Sequence, residues 1–402
     1  MRASAFKLIT QTLQNAIARI TKDRDGYFRF GANDKFPNEL IDDILSSGTA
    51  KSCLVRLSQF IQADGLVDRE LSKKHANPKQ TFDGLIGDLA KITATYSCVS
   101  FRVLYDNMGQ PARFYSTPLT ELRKRGEYFL YNTQFGTRDY KQTDNKIIHE
   151  FNPGESSQSR LKRIDFQIRE YGKQIGDLVF SYKKGIGALS DAYPIPDYYS
   201  ESAINDIRSD AAIARLENRN IIKGFRTPVI ISTGPIDNVQ KDDDGKTAFD
   251  YFEDVIMSYT GEEAASVIHL EAESKEQMAQ ITTIPIAEII DATEKATERI
   301  GKKVCRHFNV APPLVGFSTP GQLGNNQELK NHIKLMNMSV IGYQQMITEA
   351  LSYVVPNVDW SLTTLKVFDF LPQEAINILT EEEIREMYEL KPRENEATEV
   401  GV

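Results

Sequence analysis

The sequence predicts an α+β chain organised around long helices, and three observations carry that reading. Residues 200–223, 285–308 and 326–354 each sustain helical patterning over five turns or more. Val99, Phe101, Val103 and Tyr105 alternate as in a half-buried strand, and Asn107-Met108-Gly109 supplies the turn of a hairpin. Lys302–Glu328, KKVCRHFNVAPPLVGFSTPGQLGNNQE, joins two of the long helices and does not read as an ordinary loop.

Length and composition set the frame. A chain of 402 residues allows two or three domains or one elongated molecule with a sizeable core. Hydrophobic content of 41% and charged content of 26% are those of a folded, soluble protein. The chain has no run of 18 apolar residues and no signal-peptide pattern, so it is expected neither to span a membrane nor to be exported. Residues 371–402 hold nine Glu, no Asp and three Lys or Arg, a balance of −6, which leaves about −2 of the total −8 for the other 370 residues. That is not the charge of a protein that grips nucleic acid. Cys53, Cys98 and Cys305 are odd in number and far apart in sequence, which argues for a reduced compartment without a disulfide framework.

In chain order, Phe6, Ile9, Leu13, Ile17 and Ile20 have helical spacing, so residues 4–20 are expected to form an amphipathic helix. A second helical stretch follows Pro37, residues 71–80 read as a polar loop, and a helix near 81–95 leads into the hairpin. Short strands follow between 112 and 151, whereas 153–190 show no clean period. Pro194 and Pro196 forbid helix continuity. Asp197 or Ser200 can then cap a helix of roughly 35 Å that ends at Gly224. Residues 228–275 read as a small α/β module, with strands in PVIIST and ASVIHLEA and a helix near AFDYFEDVIMSY. The next helix opens at Pro285, the favoured first position, with Ile286, Ile289, Ile290, Ala296, Ile300 and Val304 as its apolar stripe. Pro312 and Pro313 stop it; Gly316, Gly321 and Gly324 keep the backbone permissive, and Asn325 or Asn326 can cap the helix that runs to Val354 before Pro356. Trp360 lies in a strand or loop, a short helix falls near 381–389, and the tail is too acidic and polar to fold alone.

Catalytic and ligand motifs fail on spacing. Gly245-Lys246-Thr247 would need a glycine at Gln240 to be a phosphate loop. With Gly245 at position six of a calcium loop, Tyr251 occupies the place of the required bidentate Glu. Gly185-Ile186-Gly187 lacks a following helix, and His75, His149, His269, His307 and His332 have no metal spacing. Cys305 and His307 point to different faces of one helix. No metal, cofactor or catalytic residue is nominated. One charge pattern has two readings. Glu288, Asp291 and Glu294 precede Lys302, Lys303 and Arg306 on one helix, which complements the helix dipole and provides the pairs Asp291–Lys295 and Glu298–Lys302. Alternatively, the basic end faces DNA phosphates or a neighbouring subunit.

The order of elements resembles the portal proteins of tailed bacteriophages across roughly residues 30–392. The resemblance rests on YPIPDYYSESAINDIRSD, NIIKGFRTPVIIST, SYTGEEAASVIHLEA, RHFNVAPPLVGF, YQQMITEAL and ILTEEEIREMYELKP, in that sequence. It implies an elongated α+β subunit with residues 1–190 as wing, 191–223 and 281–310 as stem helices and 224–280 as clip. Residues 311–326 would be the tunnel loop, 327–356 the long wing helix, 357–392 a reduced crown and 393–402 a disordered tail. It further implies a non-enzymatic ring of about twelve subunits at one capsid vertex of the virion, assembled in the host cytoplasm and conducting double-stranded DNA during packaging and ejection. Its partners would be the terminase motor, the major capsid protein and a head–tail adaptor, with no cofactor and no membrane. A channel must not bind what passes through it, and a near-neutral body suits that task. Residues expected to face the channel or DNA are Lys302, Lys303, Arg306, Ser318, Gln322, Asn325 and Asn326, on a mobile loop. The alternatives are a soluble α+β enzyme or nucleic-acid-processing protein whose site converges only in three dimensions, and an intracellular adaptor built on long helices.

Overall fold

The structure, a computed structural model, describes residues 20–22, 26–31, 33–183, 192–222, 229–233, 247, 267–271, 286–317, 326–365 and 383. The chain divides into a unit of residues 1–364 and a second of 365–402, and every element below belongs to the first. The helices expected over 4–19, near AFDYFEDVIMSY and near 381–389 lie outside the described residues, apart from isolated positions. Ile20, placed at the end of the first of these, instead opens strand β1 (Ile20–Lys22), which pairs with β2 (Phe28–Phe30).

The helical stretch after Pro37 is two helices, α1 (Phe36–Ser46) and α2 (Gly48–Gln62). The break falls at Ser47, whose hydroxyl accepts from the Ala50 amide at 3.0 Å and donates to Asp210 at 2.6 Å. A buried N-cap thus ends one helix by starting another. The polar loop expected over 71–80 is more structured than its composition suggests. Helix α3 (Arg69–Lys73) is capped by Asp68, and β3 (His75–Asn77) pairs with β4 (Gln80–Thr81). Helix α4 (Phe82–Tyr96) follows, capped by Thr81 and ended by Ser97 at φ 52°.

The main sheet has six strands: β5 (Cys98–Tyr105), β6 (Pro111–Ser116), β7 (Leu122–Arg125), β8 (Tyr128–Tyr131), β9 (Lys146–Glu150) and β10 (Asp177–Tyr182). Their spatial order is β6-β5-β10-β9-β8-β7. The expected hairpin is present, with Gly109 at φ +74° in its turn. All pairs are antiparallel except β9 with β10. A parallel pair needs a crossover, and α5 (Ser157–Tyr171) supplies it. The aperiodic 153–190 segment therefore holds a helix and a strand that complete the sheet.

Two 22-residue helices follow, α6 (Glu201–Ile222) and α7 (Ile286–His307). Between them, β11 (Val229–Thr233) pairs in parallel with β12 (Val267–Glu271). The last helix, α8 (Asn326–Val354), has 29 residues and packs against α2, α4 and β10. Beyond it, residues 361–363 run beside 65–67 through Val67 N–Ser361 O (2.9 Å) and Thr363 N–Gly65 O (3.0 Å). Buried Gln344 fastens α8 to the end of α2 and to the 361–363 segment by donating to the carbonyls of Ile61 and Thr363. Trp360, in a loop, is buried against Phe82 and donates its indole N–H to the Val355 carbonyl. Among the described residues no helix is long and apolar enough to cross a membrane.

Candidate functional site

The region where α7 ends and α8 begins holds the residues singled out in the sequence, and it is built on α2 and α6. Residues 304 and 305 of α7 are buried, as is Phe308, whose ring stacks on Tyr198 at 4.3 Å between centroids. Helix α7 terminates at Asn309, in the left-handed region at φ 54°, and the Val310 amide bonds back to the Cys305 carbonyl at 2.9 Å. Pro312–Val315 then form one 3-10 turn, closed by Gly316 at φ +98°.

This first half of the expected loop is held in place. Arg56 of α2 donates Nε to the Leu314 carbonyl at 2.8 Å, and Leu314 is buried. The Phe317 ring lies on the backbone of Gly301, so close that a Cβ there would stand 2.3 Å from Phe317 Cζ. Gly301 is therefore a notch in α7, required for close approach rather than for backbone freedom. The expectation of a mobile, isolated loop thus needs correcting at 311–317: two prolines, a helical turn, an arginine and an aromatic ring fix the root. The remainder, with Ser318, Gln322 and Asn325, lies outside the described residues; Asn326 is the first residue of α8.

The three cations have different surroundings. Lys302 pairs with Glu298 at 2.6 Å on the solvent face, and Lys295 pairs with Asp291 at 2.7 Å, both at the spacing read from sequence. Lys303 reaches Asp206 of α6 at 3.6 Å, and His307 Nε2 lies 2.9 Å from the same carboxylate. Arg306 is exposed, and among the described residues it has no ion-pair partner. It borders a groove of about 310 Å³ whose walls include Lys302, Pro312, His332, Leu335 and Met336. On the outer side of α8, Leu335, Met338 and Ile341 are 62%, 68% and 44% exposed. Apolar side chains bared together on one helix mark an interaction surface more often than a free one.

Sequence reasoning missed Arg56, Asp206 and the role of Gly301. Arg56 and Asp206 act on residues far along the chain, whereas the partner of Gly301 is nearby in sequence but was read as a loop side chain. Among the described residues no cluster of His, Cys, Asp and Glu is arranged to hold a metal ion.

No protein-family profile matches the sequence, and no curated protein matches it. Solved structures do show likeness. A chain in the virion of a native gene transfer agent particle is 11% identical, with a TM-score of 0.48, covering 89% of this chain and 94% of that one. A chain in the neck of an empty gene transfer agent particle, computed with C6 symmetry, has the same identity and coverage and a TM-score of 0.47. An HK97-family phage portal protein from Corynebacterium diphtheriae is 12% identical, with a TM-score of 0.39, covering 79% of this chain and 90% of that one.

Proposed function

We propose that this chain is a portal-type subunit that assembles into a ring around a channel for double-stranded DNA. One observation carries the reading: α6 and α7 pair, yet among the described side chains each is buried only at the end near α1 and α2. In α6, Ala203, Ile204, Ile207 and Ala211 are buried, and none of the described side chains beyond Ala211 is. In α7 no described side chain before Gly301 is buried. Most of a helix's stability comes from packing its apolar face. A pair bared along half its length is suited to receive cover from neighbours, as in a stem made of many copies. The bared apolar residues of α8 offer a further contact surface.

On this reading α6 and α7 are stem helices, β11 and β12 belong to the clip, and the segment 311–326 is the tunnel loop. The near-neutral body lets DNA pass without strong attraction to phosphate. The terminase motor, the major capsid protein and a head–tail adaptor would dock on the ring at one capsid vertex. The test is the mass in solution combined with negative-stain images. A ring with an axial hole is expected; monomer alone across a wide range of concentration and salt overturns the proposal.

A further inference from the structure

Three cysteines separated along the chain do not stay apart in the fold. Cys53 of α2 and Cys305 of α7 lie with their Sγ atoms 3.8 Å apart, each wholly buried, and Cys53 donates its S–H to Cys305. Both are free thiols. Cys98, on β5, is also buried and free, and among the described residues it faces no thiol. The pair bridges 252 residues of sequence and joins the two helices that hold the root described above. The Cys305 carbonyl receives the Val310 amide, and Arg56, one turn along α2 from Cys53, holds the Leu314 carbonyl.

We propose that Cys53 and Cys305 are a dithiol modification site that closes to an intrachain disulfide by exchange with a small-molecule disulfide such as oxidised glutathione, stapling α2 to the end of α7. The hydrogen bond that Cys53 donates pulls the Cys305 thiol below its ordinary pKa, while the same bond and burial push Cys53 up. Cys305 is therefore the first nucleophile. Its thiolate attacks one sulfur of the reagent. The reagent S–S bond breaks, and the departing glutathione thiolate takes up the proton that Cys305 lost. Cys53 then gives up its proton, and its thiolate attacks Cys305 Sγ. That second attack expels the other glutathione thiolate, which takes that proton. Two protein thiols are oxidised and one reagent disulfide is reduced to two thiols. Burial makes local opening the gate for the first step, so the reaction is slow beside that of an exposed thiol. The consequence is mechanical: the staple fixes α2, α7 and the loop root as one piece. The proposal stands on the packing of α2 against α7 and is independent of what the chain assembles into.

The experiment incubates the full-length native protein with oxidised glutathione, blocks remaining thiols after denaturation, and maps the peptides by mass spectrometry. A Cys53–Cys305 crosslinked peptide is expected, with Cys98 recovered as a free thiol. Oxidation should also raise the melting temperature, and dithiothreitol should reverse both changes. In Cys53→Ser, or in Cys53→Ala if the serine variant fails to fold, Cys305 should instead retain a stable glutathione adduct, because the resolving thiol is gone. On the untouched protein, phenylarsine oxide, which needs two adjacent thiols, should bind once per chain and protect Cys53 and Cys305 together. Recovery of all three thiols after oxidation, a crosslink that uses Cys98, or a persistent adduct on Cys305 in the unmutated protein would overturn the proposal.

Discussion

Helices α4 and α5 are each fifteen residues long and both attach to the six-stranded sheet, yet they are held by opposite chemistry. Helix α4 buries eleven residues, among them Leu85, Ile86, Leu89 and Ala90. Helix α5 buries only Arg160 and Gln167 and leaves Phe166 and Ile168 exposed. Its attachment is polar. Gln167 receives the amides of Ile175 and Gly176, each at 2.9 Å, and donates to the Gly176 carbonyl at the same distance. Arg163 forks between Glu155 and Asp177, and Asp177, 1% exposed, also accepts from the Tyr105 hydroxyl. Apolar burial is graded and tolerant of small errors. A buried ionic network depends on every member, because each charge left behind has lost its water.

The largest expected effect tests that contrast directly. Arg163→Ala leaves Asp177 buried without its cation and should cost about 4 kcal/mol, in the range for breaking a buried pair. Leu89→Ala in α4 should cost about 3 kcal/mol through lost burial and a residual cavity. The discriminating result is a double substitution: Arg163→Ala with Asp177→Asn should recover much of the first loss, whereas no second change rescues Leu89→Ala except one that refills the space. Chemical denaturation of the four variants reads this. If Asp177→Asn rescues nothing, α5 is not held by the ionic network.

Acid should separate the two helices next. The hydrogen bonds from Arg163 hold the Glu155 carboxyl below the ordinary carboxylate range. A depressed carboxylate contributes stability that is complete above the unfolded-state pKa and is lost as pH falls through the folded value. Burial pushes Asp177 the other way, so its contribution has the opposite sign and is removed by working in the Asp177→Asn background. There the amide protection factors of α5, corrected for intrinsic exchange, should fall as pH is lowered from about 6 to about 3, while those of α4 hold. Glu155→Gln should flatten the response. Equal acid sensitivity of α4 and α5 would break the comparison.

The same contrast decides what the sequence could reveal. Helix α4, the hairpin from Val99 and the three long helices were legible because apolar residues recur at the period of the element that buries them. Helix α5 was not, because the side chains it buries are an arginine and a glutamine, which no hydrophobic period registers. The split at Ser47 depends on Asp210, and the fixed loop root depends on Arg56, so both are written in residues far along the chain. The pairs within α7 were legible because i,i+4 geometry is local. The pairing of Lys303 with Asp206 was not, since it crosses from α7 to α6. Cys53 and Cys305, far apart in sequence, meet only once α2 and α7 pack.

The end of α7 combines both modes, apolar on its inner side at Val304 and Cys305 and ionic on its outer side, and this gives the smallest expected effect on stability. Lys302 and Glu298 are 42% and 49% exposed, so their pair belongs to the class of surface ion pairs, worth up to about 1 kcal/mol and weakened by salt. Lys303 shares Asp206 with His307, which keeps that carboxylate paired when the lysine is removed. Replacing Lys302, Lys303 and Arg306 together by glutamine should therefore lower the folding stability by less than about 1.5 kcal/mol, far less than Arg163→Ala. Dipole compensation and local pairing account for that much. Arg306 goes further: it is exposed, has no ion-pair partner among the described residues, and stands on the rim of the groove beside the loop root. If it meets DNA or a neighbouring copy, the triple variant should change assembly or DNA passage in a salt-dependent manner, although the fold is almost untouched. Sedimentation velocity and packaging, each measured from low to high salt, separate the two roles. Unchanged assembly and packaging at every salt concentration would leave the three cations with only the helix end to serve.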